Sequence, residues 1–152
     1  MVGKLELEVV MKSSADKFWG AIRNSSELFP KILPEQFKSI EVVEGDGQSV
    51  GSVRLVQYAE GVPIVTFTKE KLEIADEENK TVSYTVIDGE LATLFKSFKA
   101  TLQVVPLPQG EGALVKWNIE YDKASDEVPD PNLVQETAKK TFTDLDDYLL
   151  NN

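Results

Sequence analysis

Residues 130–149 read DPNLVQETAKKTFTDLDDYL and carry a helical pattern. Asp130 is a good N-cap residue, and Pro131 suits the first position of a helix. A helix of about 20 residues at ~1.5 Å per residue is about 30 Å long, enough to cross a broad sheet. Its apolar stripe predicts packing against another layer and consists of Val134, Ala138, Thr141, Phe142, Leu145 and Leu149.

The middle of the chain supplies that layer, because its apolar residues alternate with polar ones as they do in half-buried strands. The alternation is clearest over 81–87, where Val82, Tyr84 and Val86 share one face. The connections are short and carry turn residues, which favours antiparallel pairing. Seven strands are predicted, over residues 4–11, 40–43, 52–58, 64–74, 81–87, 95–105 and 113–121.

Two short helices are predicted between the first and the second strand. A serine at position 13 or 14 caps the first helix, which ends near Asn24. A serine at position 25 or 26 caps the second helix, and Pro34 stops it. We therefore predict an α+β helix-grip fold. Residues 1–152 form one domain, in which a curved seven-stranded antiparallel sheet grips the long C-terminal helix.

The composition excludes several classes of function. With 16 Lys and Arg against 26 Asp and Glu, the formal net charge of −10 opposes binding to nucleic acid or anionic lipid. The chain contains no Cys and no His, which removes thiolate and histidine catalysis and metal sites built on these residues. No apolar run approaches the ~18 residues of a membrane span, and the first residues do not resemble a signal peptide. We therefore expect a cytoplasmic protein without a metal or cofactor.

Five short stretches, in this order and with these elements between them, resemble the plant pathogenesis-related class 10 family. That family includes the major birch pollen allergen and the major latex proteins. Two features lean toward the latex proteins: the Gly51, Ser52, Val53 ending of the glycine-rich loop and the turn Asp88, Gly89, Glu90. The stretches are residues 28–34, 40–51, 60–63, 86–90 and 148–150.

The resemblance implies a hydrophobic cavity between the sheet and the long helix. Members of this family bind sterols, flavonoids, fatty acids, plant hormones and other secondary metabolites there. The expected function is therefore binding and storage or transport of a small hydrophobic ligand by a monomer, in plant defence and stress response. The alternative is an enzyme of secondary metabolism that condenses or isomerises an alkaloid or polyketide precursor in the same cavity. Two further alternatives are a ribonuclease, which the charge and the lack of His oppose, and a protein-binding module.

The inward faces of the predicted strands and of the long helix nominate the residues that contact a ligand. A solid core would give the same sequence pattern, so the alternative is that all of them are core residues. Tyr58, Tyr84 and Thr141 are the stronger candidates, because a buried hydroxyl without a partner costs about 1–3 kcal/mol. The candidates are Ile22, Phe37, Val56, Tyr58, Phe67, Val82, Tyr84, Phe98, Leu102, Trp117, Ile119, Val134, Ala138, Thr141 and Phe142.

Three other features are weaker candidates. The loop at 45–51 lacks the ending of a phosphate-binding loop and precedes a strand, so we interpret it as a hairpin connection. Lys69 and Lys71 share a face with Phe67 and could point into the mouth of a cavity, although a solvated strand end is the favoured interpretation. The acidic residues at 144–147 lack the spacing of a calcium loop. No inward-facing carboxylate is identified, which weakens the enzyme hypothesis.

Overall fold

The computed structural model describes residues 2–108 and 110–152, which form an antiparallel sheet and four helices. Along the chain the elements are β1 (Val2–Met11), α1 (Ala15–Arg23), α2 (Ser25–Ile32), β2 (Phe37–Glu44), β3 (Val53–Tyr58), β4 (Phe67–Asp76), β5 (Thr81–Gly89), α3 (Glu90–Leu94), β6 (Phe95–Pro106), β7 (Ala113–Lys123) and α4 (Asn132–Asn151).

The seven strands lie in the order β1-β7-β6-β5-β4-β3-β2, and every neighbouring pair is antiparallel. This order makes β1 and β2 the opposite edges of the sheet, and the helices α1 and α2 connect them. The predicted fold class is therefore confirmed: seven antiparallel strands, two short helices after the first strand and one long helix at the end. The five-residue α3 is not predicted by the sequence, because so short a helix has no apolar period.

Breaks in strand register curve the sheet. A bulge inserts an extra residue into one strand of a pair, which bends that strand and increases its twist. The bent sheet gains a concave face, and α4 lies over it. The register shifts fall at residues 37–39, 42–44, 69–70, 72–74 and 95–97.

The predicted cap of α1 is confirmed, whereas the predicted caps of α2 and α4 are wrong. Ser14 accepts a hydrogen bond from the backbone N–H of Lys17 at the start of α1. Ser25 lies inside α2, where its hydroxyl accepts a hydrogen bond from a side chain of β3 instead. Asp130 lies two residues before α4, and its carboxylate accepts hydrogen bonds from the Tyr121 hydroxyl and the Lys123 ammonium, each at 2.9 Å. These charged and phenolic donors replace the backbone N–H groups that a capping Asp would bind.

A buried carboxylate attaches α4 to the other end of the chain. Asp146, which is 7% exposed, accepts hydrogen bonds from the backbone N–H groups of Lys12 and Ser13 and from the Ser13 hydroxyl. Beside it, the Phe18 ring of α1 packs edge-on against Phe142 at 6.3 Å. The C-terminal half of α4 is therefore fixed to the junction of β1 and α1.

Candidate functional site

A cavity of about 170 Å³ lies between the concave face of the sheet, α2 and α4. The sheet contributes residues from β2 to β7, and α4 contributes one face of its first three turns. The side chains at the wall are mainly apolar, with a smaller polar group on β3 and β4. The lining residues are Ile22, Ser25, Phe29, Phe37, Arg54, Val56, Tyr58, Pro63, Val65, Glu70, Val82, Tyr84, Leu91, Ala100, Leu102, Trp117, Val134, Thr137, Ala138, Thr141 and Phe142.

Twelve of the fifteen residues nominated from the sequence lie at this wall, and three do not. Phe67 lies on the opposite face of β4, because its neighbour Thr68 pairs with the lining residue Val56. Phe98 is buried beside the cavity, where its ring lies 5.3 Å from the ring of Phe95. Ile119 is fully buried in the core.

The structure corrects the reading of β4. Lys69 and Lys71 share a face with Phe67, as the alternation requires, but that face points away from the cavity. Glu70, on the other face, lies at the cavity wall. The sequence identified no inward-facing carboxylate, whereas the structure has one in Glu70. The favoured interpretation of the two lysines as solvated agrees with their position.

A chain of polar contacts, which we call the Arg54–Glu70 cluster, crosses this part of the wall. Arg54 Nε donates a hydrogen bond to Glu70 Oε1, and Arg54 Nη1 donates one to Ser25 Oγ, each at 2.9 Å. Thr68 Oγ1 donates to Glu70 Oε2 at 3.1 Å and lies 3.3 Å from the Tyr58 hydroxyl. The cluster thus consists of Ser25, Arg54, Tyr58, Thr68 and Glu70, which hydrogen bonds connect into one chain.

The electrostatics of the cluster keep Arg54 charged and Tyr58 neutral. Burial by itself lowers the pKa of Arg54, but the neighbouring Tyr84 and the Glu70 carboxylate raise it above its ordinary value. The Arg54 guanidinium also lies 4.2 Å from the centroid of the Tyr84 ring, which favours the cation through a cation–π interaction. Burial and the charge of Glu70 raise the pKa of Tyr58. The cluster therefore presents one cation, one carboxylate and neutral hydroxyl groups.

The three hydroxyl groups favoured by the sequence have different surroundings. The Thr141 hydroxyl donates to the Thr137 carbonyl at 2.9 Å, so the helix itself uses it. The Tyr58 hydroxyl forms a hydrogen bond with the Thr68 hydroxyl, at 3.3 Å. The Tyr84 hydroxyl makes no hydrogen bond within residues 2–108 and 110–152. Tyr84 is therefore the tyrosine of the wall with an unused polar group.

Two charged residues at the wall, Arg54 and Glu70, are not among the residues nominated from the sequence. Arg54 stands two residues before Val56 and four before Tyr58, so the alternation that nominated those two also places Arg54 on their face. The two residues are directly opposite in the β3–β4 register. Such a pair makes burial of both charges tolerable, with the Arg54 and Glu70 side chains 17% and 13% exposed.

The loop 59–66 and α3 also contribute to the cavity wall, through Pro63, Val65 and Leu91. Ile64 in this loop has a φ of 74°, an unusual conformation for a β-branched residue. The Glu90 carboxylate holds the loop by accepting hydrogen bonds from the N–H and the hydroxyl of Thr66. The Thr66 hydroxyl is the main reason that the pKa of Glu90 is lowered to about 2.

The glycine-rich loop at 45–51 does not present its N–H groups to a phosphate. The Asp46 carboxylate accepts hydrogen bonds from the N–H groups of Gln48 and Ser49, and these bonds lower the pKa of Asp46 to about 2. Gly45, with a φ of 78°, adopts a backbone conformation that favours glycine. The geometry agrees with a hairpin connection.

Among the described residues, none of the helices has the length and apolar character required to cross a bilayer. In the same residues, no group of three or more acidic side chains is arranged to hold a metal ion.

An antiparallel sheet that grips a long helix around an apolar cavity defines a helix-grip protein. The Pathogenesis-related protein Bet v 1 family matches residues 1–152. MLP-like protein 423 of Arabidopsis thaliana is 43% identical over 97% of this chain and 94% of its own length. The chain therefore belongs to the Bet v 1 family, and its curated relatives include MLP-like and major latex proteins.

Solved structures agree with this assignment. Ginseng major latex-like protein 151 from Panax ginseng superposes with a TM-score of 0.88 at 30% identity, over 98% of both chains. Norcoclaurine synthase from Thalictrum flavum superposes with a TM-score of 0.83 over 100% of this chain and 88% of its own. Since the identity to the synthase is 22%, that likeness concerns the fold alone.

Proposed function

We propose that residues 1–152 act as one domain that binds and stores or transports a small hydrophobic ligand in the cavity. The observation that carries this proposal is an interior space of about 170 Å³ with a mainly apolar wall beneath α4. Membership in a pathogenesis-related family supports a role in plant defence and stress response. We further propose that the protein acts as a monomer in the cytoplasm.

The size of the cavity bears on the ligand. An engineered apolar cavity of ~150 Å³ takes up benzene, so the space beneath α4 suits a guest of one or two rings. A sterol or a flavonoid requires α4 or the loop 59–66 to move outward. A guest that buries about 250 Å² of apolar surface gains about 6 kcal/mol at ~25 cal/mol per Å². A binding free energy of about 6 kcal/mol corresponds to a Kd of tens of micromolar.

Isothermal titration calorimetry with naphthalene as the ligand tests this proposal. The wild-type protein should bind one equivalent with a Kd below about 100 µM. Ala138→Phe places a phenyl ring in the cavity and should abolish the binding. Thr143→Phe adds the same ring to the exposed face of α4 and should leave the affinity unchanged. Absence of saturable binding, or equal effects of the two variants, would contradict the proposal.

An enzyme remains the second candidate, because Glu70, Tyr58 and Tyr84 offer acid–base groups at the cavity wall. We favour binding over catalysis, since relatives at 30% identity or more include MLP-like and major latex proteins, whereas the likeness to the synthase at 22% identity concerns the fold alone. Turnover of an alkaloid or polyketide precursor by the wild-type protein, lost in Tyr84→Phe, would favour the enzyme instead.

A further inference from the structure

We propose that the cavity prefers ligands whose polar group is a neutral hydroxyl or carbonyl over ligands with a carboxylate, and that Glu70 sets this preference. The inference rests on the proposed function and specifies the ligand class. Arg54 and Glu70 carry the charges among the described side chains that line the cavity. Their charges are opposite, and the two groups are in direct contact at 2.9 Å.

An arginine alone in an apolar cavity would be a receptor for carboxylates, since its planar donor groups match two oxygens at once. Here two of the three guanidinium nitrogens already donate hydrogen bonds, Nε to Glu70 and Nη1 to Ser25. An incoming carboxylate beside Arg54 would also lie close to the Glu70 carboxylate. Attraction to one charge is then offset by repulsion from the other, which leaves the loss of hydration uncompensated.

A neutral polar group on a ligand is not repelled by the Glu70 carboxylate. A carboxylate has about four acceptor positions on its two oxygens, so Glu70 can accept a further hydrogen bond from a ligand hydroxyl. The Tyr84 hydroxyl can donate to a ligand carbonyl or hydroxyl, since it bonds to no other group in the described part of the chain. Tyr84 is also held in place by the Arg54 guanidinium, which lies 4.2 Å from the centroid of its ring.

Three ligands of similar size separate charge from apolar contact: naphthalene, 2-naphthol and 2-naphthoic acid. Calorimetry at neutral pH, where the acid is ionised and the naphthol is not, gives the three affinities. The wild-type protein should bind 2-naphthol at least tenfold more tightly than 2-naphthoic acid. Glu70→Gln removes the repulsive charge and should raise the affinity for 2-naphthoic acid relative to naphthalene at least tenfold.

Two further variants provide the controls. Glu73→Gln makes the same charge change at an exposed position of β4 and should leave all three affinities within twofold of the wild type. Arg54→Gln leaves Glu70 without its partner and should lower the affinity for 2-naphthoic acid relative to naphthalene at least threefold. Circular dichroism establishes which variants are folded, and Glu70→Met, which also removes the charge, takes the place of Glu70→Gln if that variant does not fold.

The inference and the proposed function fail in different ways. If naphthalene binds, but the affinity for 2-naphthoic acid relative to naphthalene stays within threefold of the wild type in the folded charge variant, the inference is overturned and the proposed function stands. Equal responses to Glu70→Gln and Glu73→Gln would also overturn the inference, since they would reflect net charge alone. If none of the three ligands binds the wild-type protein, both proposals fall.

Discussion

Replacement of Asp146 by alanine should destabilise the protein by about 3 kcal/mol, because three donors lose their shared acceptor. The Asp146 carboxylate accepts from Ser13 N at 2.9 Å, Ser13 Oγ at 2.5 Å and Lys12 N at 3.0 Å. Each donor left buried without a partner costs about 1–3 kcal/mol. Ser13 is 4% exposed, so its two donors carry most of the loss, whereas water reaches the backbone of the exposed Lys12.

Urea unfolding, followed by the fluorescence of Trp19 and Trp117, measures this loss directly. In a chain of this size, a loss of about 1 kcal/mol in the free energy of unfolding lowers the Tm by about 2–4 °C. In a thermal unfolding experiment, Asp146→Ala should therefore lower the Tm by about 6–12 °C. Asp147→Ala removes a carboxylate from the exposed face of the same helix and should cost less than about 0.5 kcal/mol. A loss below about 1 kcal/mol in Asp146→Ala, or one equal to that of Asp147→Ala, would refute this account of how α4 is held.

The loop 59–66 and one glycine allow two further predictions. Glu90 has a pKa of about 2 in the fold against an ordinary 4.5, so its ionised form stabilises the fold above about pH 4.5 and this contribution is lost as the pH falls toward 2. Wild type and Glu90→Gln should therefore differ in urea midpoint at neutral pH and converge in acid, and a constant difference would contradict the role of the carboxylate. Gly89→Ala should cost at least about 3 kcal/mol, since its Cβ would lie 2.3 Å from the Phe67 carbonyl oxygen at a φ of 108°. Gly51→Ala, with a φ of 95° but open space around the Cβ, should cost only about 1 kcal/mol in the same urea assay, and similar losses would show that the contact is unimportant.

The fold could be predicted because its two layers follow simple periods. Alternation over 81–87 and the stripe from Val134 to Leu149 each leave one apolar face that only the other can cover. The cap of α4 could not be predicted, because Asp130 has tertiary partners in Tyr121 and Lys123 that no local pattern reveals. At Asp130, hydrogen bonds to these two distant side chains replace the local capping interaction.

The apolar wall of the cavity could be predicted from the same alternation, whereas its charged part could not. The prediction nominated Phe67 and left out Glu70, because a charged residue in a strand is ordinarily assigned to the solvent face. The actual orientation follows from the pairing of Arg54 with Glu70 across β3 and β4, which compensates both charges. The volume of the cavity depends on side-chain packing, which the order of residues does not specify.

The central claim, that the space beneath α4 accepts an apolar guest, is tested most directly by a crystal of this protein soaked with iodobenzene. The anomalous signal of iodine locates the guest without reference to any expected position. The account predicts one strong peak inside the fold, in contact with Val56, Ala138 and Phe142. Iodine found only on the outer surface, at concentrations that saturate the protein in solution, would contradict it.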